Sequence, residues 1–480
     1  MPFSFAFYIE LPYPSDRSGI SMGEIVDVII IGGGFAGLSA AIEAKLQGKQ
    51  VVVFEKMAKI GGNSIISDGG IAAATTDLQE KHHIQDSLSL MKEDILKAGK
   101  YVNNETLVNL LVDHAKEAFY WTKDFLGVKY LDRVDIFGGH SVARCYTPVN
   151  RSGRDLMNAL EKKCLELEVD IRTKVYVKDF IISNGEIRGI KAGYNYQYPQ
   201  NDCKDIVSIY ANDGVILTTG GYGYNEALIN KYANKYLALD STNKPSTTNN
   251  LLEILLDYPI KMVDLEQVQL LPSTSIDEKG FGEGTLFGDY IVFPYGILID
   301  SKTINRFTNE LTDRGKLSNE MLKHAPYCYG LVDQNGIDKA GWDITKSIKK
   351  GVVKKCDSLK ELSNVLSCSI ELVETTLKRY NDFVIHGLDE DFHKPITNQE
   401  PLNHPPYYVM RMFPKIHHTM GGVAINELGQ VLNNSNQTVK GLYAAGETAG
   451  GVHGASRLGS MAVTDCIVFG RIAGKNIGNL

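Results

Sequence analysis

The chain has 480 residues and a formal net charge of -7, with 43% hydrophobic and 22% charged residues. That balance excludes a disordered chain, a collagen-like repeat and a membrane bundle, and the negative sign gives no general attraction for nucleic acid or anionic lipid, so any phosphate or carboxylate site must be built locally. One hydrophobic core rarely organises this length, and two domains are expected, one of them split by the other. The compositional excess is glycine, 46 residues against 15 prolines. Much of it sits in dense clusters in apolar context, unlike the Gly/Ser/Pro mixture of a flexible linker. The seven cysteines are scattered, odd in number and without a CxxC pair. A disulfide framework, a zinc site and an attached c-type haem are therefore not expected, and no metal is assigned.

In chain order, residues 1–23 read as an N-terminal extension. They lack a positively charged region followed by an apolar stretch, and no run in the chain approaches the roughly 18 apolar residues of a membrane span. A cytoplasmic protein is the expectation, with Met22 a candidate original start. Val26 to Ile31 is a β-branched run without polar alternation, as in a parallel strand buried on both faces. The glycine turn 32–37, an Ala/Leu-rich helix ending near Gly48 and a second buried strand, Val51 to Phe54, follow directly. Residues 86–126 and 155–167 carry apolar residues at helical spacing. Short strands fill 169–219, read as a sheet of its own closed by Gly220-Gly221. From about 267 the texture loosens into a Gly-rich polar loop, then a helical, lysine-rich stretch over 345–385, as in a separate insert. After Met412 the buried-strand and glycine idiom returns, ending in a helix over 460–477.

Gly32, Gly34 and Gly37 form a G-x-G-x-x-G triplet between a strand and a helix. The first glycine allows the tight turn, the second lets backbone approach a pyrophosphate, and the third lets helix meet strand, with the helix N-terminus facing the phosphates. Glu55, at the end of the second strand, is placed to accept from ribose hydroxyls. A second cluster, Gly61-Gly62-Asn63-Ser64 with Asp68-Gly69-Gly70, and a third over 441–459 suit backbone pressed against a flat ring system. The clusters lie far apart in sequence, so one large cofactor lying across both halves of a domain accounts for them.

In order along the chain, VDVIIIGGGFAGLSAAIEAKLQGKQVVVFEK, GGNSIISDGGIAAA, GVILTTGGYG, RFTNELTDRGKLS, HHTMGGVAIN and GLYAAGETAGGVHGASRLGSMAVTD resemble the soluble fumarate reductase and flavocytochrome c flavoproteins, within the succinate dehydrogenase/fumarate reductase flavoprotein superfamily. The resemblance runs from about residue 24 to the C-terminus. It implies an α/β fold in which a Rossmann-like FAD-binding domain, residues 24–266 and 418–480, is interrupted by an α+β capping domain, residues 267–417. It also implies hydride transfer from flavin N5 to an activated alkene, with an arginine protonating the neighbouring carbon. Arg314 in LTDRGK matches that arginine; the bland reading is a surface arginine beside Asp313. His417 and Arg457 match the residues that grip the substrate carboxylate. The positions expected around FAD are Gly32, Gly34, Ala36, Gly37, Glu55, Lys56, Gly62, Asn63, Ser64, Gly69, Gly70, Val175, Gly220, His418, Gly446, Glu447, Arg457, Ser460 and Ala462. No histidine stands in the flavin-tethering context near GGNSIISDGG, so FAD is expected to be non-covalent.

The sequence also departs from the family. Where the fumarate enzymes carry a histidine, VQLLPS has Leu271, and a leucine gives a second carboxylate no partner. Where they relay protons through a glutamate and a second arginine, counting back from Gly296 gives Tyr290 and Phe293, while Glu283, Asp289 or Tyr290 could substitute from a longer loop. His140 and Arg144 lie in a loop that either approaches the site or bonds only locally, and Tyr222 and Tyr224 read as packing residues. The expected function is reduction of the C=C bond of an α,β-unsaturated carboxylate other than fumarate, with electrons from a reduced flavin, a reductase or another redox protein. The alternatives are a dehydrogenase running the reverse reaction and a catalytically impaired flavin-bound carboxylate-binding protein.

Overall fold

The computed structural model describes residues 23–200, 203, 205–396 and 399–479; the expected N-terminal extension lies outside the described residues except for Gly23. The strand Glu24–Ile31 pairs in parallel with Val51–Glu55 on one side and with Ile206–Leu217 on the other. Its Val28, Ile29 and Ile30 are wholly buried, as a β-branched run without alternation requires. Among the described residues the sheet has eight strands. Asp170–Thr173 adds in parallel beyond Val51–Glu55, and Thr438–Ala444, from near the C-terminus, adds in parallel to Ile206–Leu217. The helices Phe35–Leu46 and Met461–Asn476 cross in close contact: a Cβ on Gly470 would stand 2.5 Å from the Ala36 carbonyl oxygen.

The strands of 169–219 do not form a sheet of their own. The hairpin of Tyr176–Ser183 and Glu186–Gly193 joins the main sheet through Ile206–Leu217. That twelve-residue strand offers an edge long enough for two partners. Its first half takes Glu186–Gly193, and its last residues, Val215 to Leu217, take Leu442 to Ala444.

A second, antiparallel sheet of four strands comes from within residues 297–412, in the order 297–300, 328–333, 407–412, 353–356. It has its own apolar cluster, with Ile297, Ile299, Leu331, Leu362, Leu377 and Tyr380 at its centre. The lysine-rich stretch is not continuously helical. Val353–Cys356 interrupts it as a strand, buried at Val353 and Cys356 and exposed at the two lysines between, because its partner Tyr407–Met412 is an open edge. The strand Lys415–Thr419 runs across the expected boundary at 417/418 and pairs with Val268–Leu271.

One buried ion cluster fixes the loops above the main sheet. Arg144, fully buried, donates from Nε and Nη2 to Asp86 (both 2.9 Å) and from Nη1 to Asp94 (2.6 Å). Removing Asp86 leaves the Arg144 charge paired with Asp94 but strips two buried guanidinium N–H groups, Nε and Nη2, of their acceptor. Asp86→Ala is therefore expected to cost about 3 kcal/mol, read as a lower midpoint in urea unfolding of the holoprotein with unchanged slope.

Candidate active site

The glycine turn is built as the triplet demands. Gly32 has φ +108°, and a Cβ on Gly37 would lie 2.0 Å from the Gly32 carbonyl oxygen. Gly34 is the N-cap of the helix Phe35–Leu46 and offers it no side-chain oxygen; the Phe35 amide donates to Ser64 Oγ (3.1 Å), and the rest of the amide end of the helix dipole favours an anion. Glu55 accepts from the Gly33 amide (3.2 Å) and the Met57 amide (2.8 Å), and burial pushes its carboxyl up from the ordinary value. Lys56 donates to Thr248 Oγ1 (2.8 Å), and burial pushes its ammonium down to about 8. Gly32, Glu55, Lys56 and Val175 line a smaller cleft, together with Asn249, Asn250 and Thr219.

A larger cleft lies on the other side of the turn, and Arg314, His417 and Arg457 all open into it. Arg314 begins the helix Arg314–Leu322, capped by Asp313, whose side chain accepts from the Lys316 amide. Asp313 is thus occupied in the cap, and Arg314 Nη2 instead donates to Asp289 (3.1 Å), with both side chains only 13% exposed. Burial raises the Asp289 carboxyl above its ordinary value against the opposing pull of Arg314. His417 lies on the strand Lys415–Thr419, where its Nε2 accepts from Arg457 Nη2 (2.8 Å) and its Nδ1 bonds Thr242 Oγ1 (2.8 Å). The Thr242 hydroxyl donates to the Ile416 carbonyl, so Nδ1 carries the imidazole proton. Burial first, then the charges of Arg457 and Arg314, hold His417 well below its ordinary value, as the neutral ring this tautomer needs. Arg457 is itself pushed down to about 10, by burial and then by Arg314. Two guanidinium groups facing one cleft, with Asp289 bound to only one of them, leave room for an anion.

Behind Arg457 the backbone is fixed by Gln269, which donates to Ser456 Oγ (2.8 Å) and the Arg457 carbonyl (2.7 Å). His140 faces the same segment from behind: its Nε2 meets the Gly459 carbonyl (3.0 Å), and burial holds its ring down at about 4. Neither His140 nor Arg144 lines the cleft, and neither bonds only within its own loop: His140 meets the Gly459 carbonyl and Arg144 pairs with Asp86 and Asp94. Asn63, Ser64, Gly70, His418, Glu447, Ser460 and Ala462 also line the cleft. Glu447 accepts from the Thr419 amide (2.9 Å), and burial raises its carboxyl to about 7. Gly62, Gly69, Gly220 and Gly446 line neither cleft; all four have positive φ and shape the loops that do. Leu271 is in the cleft wall with Phe137, Phe281 and Leu286. Of the possible relay residues, Glu283 pairs with Lys346 and Lys350 instead, Phe293 packs in the core, and only Asp289 reaches Arg314.

Sequence reasoning missed Thr242, Asn243, Phe137 and Gln269. No spacing marks them, although Gln269 stands in the same VQLLPS motif as Leu271. Asp289 was one option among three. The helix through it is widened at Gly288–Val292 to i→i+5 geometry, and within that turn Asp289 faces Arg314 while Tyr290 meets Asp68.

The two clefts flank the glycine turn and together suit a dinucleotide carrying a flat ring. Ser460 Oγ and Arg457 Nε, at the larger cleft, are buried without a hydrogen-bond partner among the described residues, and such atoms call for a polar ligand. Fold and site thus define a flavin-dinucleotide oxidoreductase. The chain belongs to the FAD binding domain family, which matches residues 27–463, and it is an FAD-dependent enzyme of the fumarate reductase-like flavoproteins. It is 34% identical over 458 residues to the fumarate reductase (cytochrome) of Shewanella frigidimarina, covering 94% of this chain and 77% of that protein. It is 33% identical to the acrylate reductase flavoprotein subunit of Shewanella woodyi, covering 97% and 94%. The open conformation of a flavocytochrome c3 fumarate reductase superposes with a TM-score of 0.77 at 31% identity, covering 96% of this chain and 79% of that one.

Proposed function

We propose that the protein reduces the C=C bond of a 2-enoate bearing one carboxylate and an apolar tail, with Arg314 as the acid. The observation that carries this reading is the polarity of the larger cleft. Arg457, His417 and Arg314 stand together in a wall that also holds Leu271, Phe281 and Leu286. A carboxylate between Arg457 and Arg314 gains charge-assisted hydrogen bonds, which draw electron density from the conjugated alkene and stabilise the enolate-like charge that develops. Leu271 is 1% exposed and offers a second carboxylate no partner. The similarity to an acrylate reductase subunit supports a monocarboxylate.

FAD, when bound and reduced, supplies the hydride for the β-carbon; residues 61–70 contain no histidine, which supports a non-covalent site. The chain itself then has three tasks. Arg457 holds the carboxylate, His417 orients the Arg457 guanidinium by accepting from its Nη2, and Thr242 and Gln269 fix His417 and the Arg457 backbone in turn. Arg314 gives a proton to the α-carbon. Asp289, holding a proton more readily because it is buried, restores it. Residues 267–417 act as the cap, since Leu271, Phe281, Leu286, Asp289 and Arg314 all come from this segment and enclose the substrate against the rest of the chain. The electron donor is an external redox partner.

The test is turnover of FAD-loaded protein with reduced methyl viologen and acrylate, cinnamate or fumarate. The monocarboxylates are expected to exceed fumarate in kcat/KM; fumarate as the best substrate by a wide margin refutes the reading. Leu271→His is expected to raise the fumarate-to-acrylate ratio of kcat/KM by about tenfold or more, the worth of one charge-assisted hydrogen bond.

A further inference from the structure

Arg314 and Arg457 face one cleft, and the segment 137–139 packs against the backbone next to each. A Cβ on Gly138 would stand 2.5 Å from the Thr312 carbonyl oxygen, two residues before Arg314. A Cβ on Gly459, two residues after Arg457, would stand 2.8 Å from Phe137 Cβ. Phe137 lines the cleft, so a carboxylate held by the two arginines has this ring as a neighbour. The ring is backed by a stack that leads out of the cleft. It meets Tyr290 edge to face (5.5 Å between centroids), Tyr290 stacks on Trp342 (4.6 Å), and the Arg151 guanidinium lies over the Trp342 ring (4.1 Å). Both ring arrangements are favoured by the aromatic quadrupole, and the cation adds to them. Two hydrogen bonds fasten the stack: the Tyr290 hydroxyl donates to Asp68 Oδ2 (2.9 Å), and Arg151 Nη2 donates to the Gly341 carbonyl (3.3 Å). A second phenylalanine, Phe281, lines the same cleft from a loop that is also pinned. Glu278 accepts there from the Glu283 amide (3.0 Å) and the Gly284 amide (2.7 Å), and Lys415 Nζ donates to the Gly280 carbonyl (3.2 Å).

We propose that the substrate is a 3-aryl-2-enoate, a carboxylate joined through the alkene to a flat ring, and that Trp342 and Arg151 are positioning residues that hold Phe137 in place for that ring. The proposal rests on the reading of this cleft as a 2-enoate reductase site and deepens it. Neither Trp342 nor Arg151 lines the cleft, so both act through Tyr290 and Phe137. A flat aryl tail gains ring contact with Phe137 and Phe281 that acrylate, which has no tail, cannot make. A wall already fixed by its own stack loses little freedom when the tail binds. Contact made away from the reacting carbons also orients them, so it raises turnover as well as binding. The reaction class is unchanged: the hydride reaches the aryl-bearing β-carbon, the proton reaches the α-carbon, and the product is the 3-arylpropanoate.

The test measures kcat/KM of the FAD-loaded protein for cinnamate, 3-cyclohexylacrylate and acrylate, with reduced methyl viologen as donor. Cinnamate is expected to exceed acrylate by about 100-fold and the non-planar cyclohexyl analogue by about tenfold. Trp342→Ala is expected to lower the cinnamate-to-acrylate ratio about tenfold, and Trp342→Phe, which keeps a ring against Tyr290, to restore it. Arg151→Met is expected to shift the ratio in the same direction and reads the same stack should Trp342→Ala not fold. A merely structural role would depress both substrates alike and leave the ratio unchanged, and that outcome overturns the positioning role. Acrylate or 3-cyclohexylacrylate turned over as well as cinnamate by the wild type overturns the aryl assignment; if both still exceed fumarate, the proposed function stands. Fumarate as the best substrate by a wide margin removes the proposed function and this inference with it.

Discussion

Arg314→Lys is expected to lower turnover of acrylate by at least about 10³-fold while FAD stays bound, which visible absorbance of the purified protein checks. Lysine keeps the charge but loses the planar fork that faces Asp289 and the cleft at once. Arg314 donates to Asp289 through Nη2, and its other nitrogens remain for the substrate. A shorter, single-point ammonium cannot keep the Asp289 bond and also present a proton at the α-carbon. The buried Asp289 would lose its partner, and its carboxyl, already raised by burial, would rise further. Activity close to wild type in Arg314→Lys removes this residue from the chemistry and leaves the bland reading, an arginine that merely neutralises Asp289.

The second large effect is expected from Arg457→Met, which keeps much of the side-chain volume and removes the charge. The loss is placed at about 10²- to 10³-fold in kcat/KM, the range for removing one donor aimed at developing negative charge. Two consequences separate this from simple misfolding. His417 Nε2 loses its donor and the repulsion of a neighbouring guanidinium, so the imidazole becomes easier to protonate. The variant's residual activity should then recover as pH falls, because a protonated His417 can grip the carboxylate; wild type, with His417 held neutral by burial and both arginines, should lack that recovery. A pH profile of kcat/KM measured on both proteins checks this, and identical profiles count against the carboxylate clamp.

The strand, glycine turn, helix and second strand of residues 24–55 were legible because their determinants are local. β-branched runs buried on both faces, a turn that rejects any side chain and an acidic residue closing the second strand all act within about thirty residues of one another. The return of the same idiom after Met412 was legible for a similar reason, since Thr438–Ala444 carries a buried apolar end that needs a parallel neighbour. The sheet expected within 169–219 was misjudged. Strand character is local, but the choice of partner depends on which edge is free, and Ile206–Leu217 had its free edge in the main sheet.

At the site, residue types and cluster spacing determined the cofactor-facing loops and named Arg314, His417, Arg457 and Leu271 as the groups to watch. Tertiary structure alone decided their company. Counting back from Gly296 assumes the family's loop length, and here Asp289, in a widened turn over Gly288–Val292, is the residue beside Arg314. Tyr290, displaced from that role, faces Asp68 from more than two hundred residues away. Thr242, which fixes the tautomer of His417, is likewise remote in sequence. Backbone idioms are written in neighbours and survive a reading along the chain. The hydrogen-bond partner of a buried charge is set by where distant segments meet.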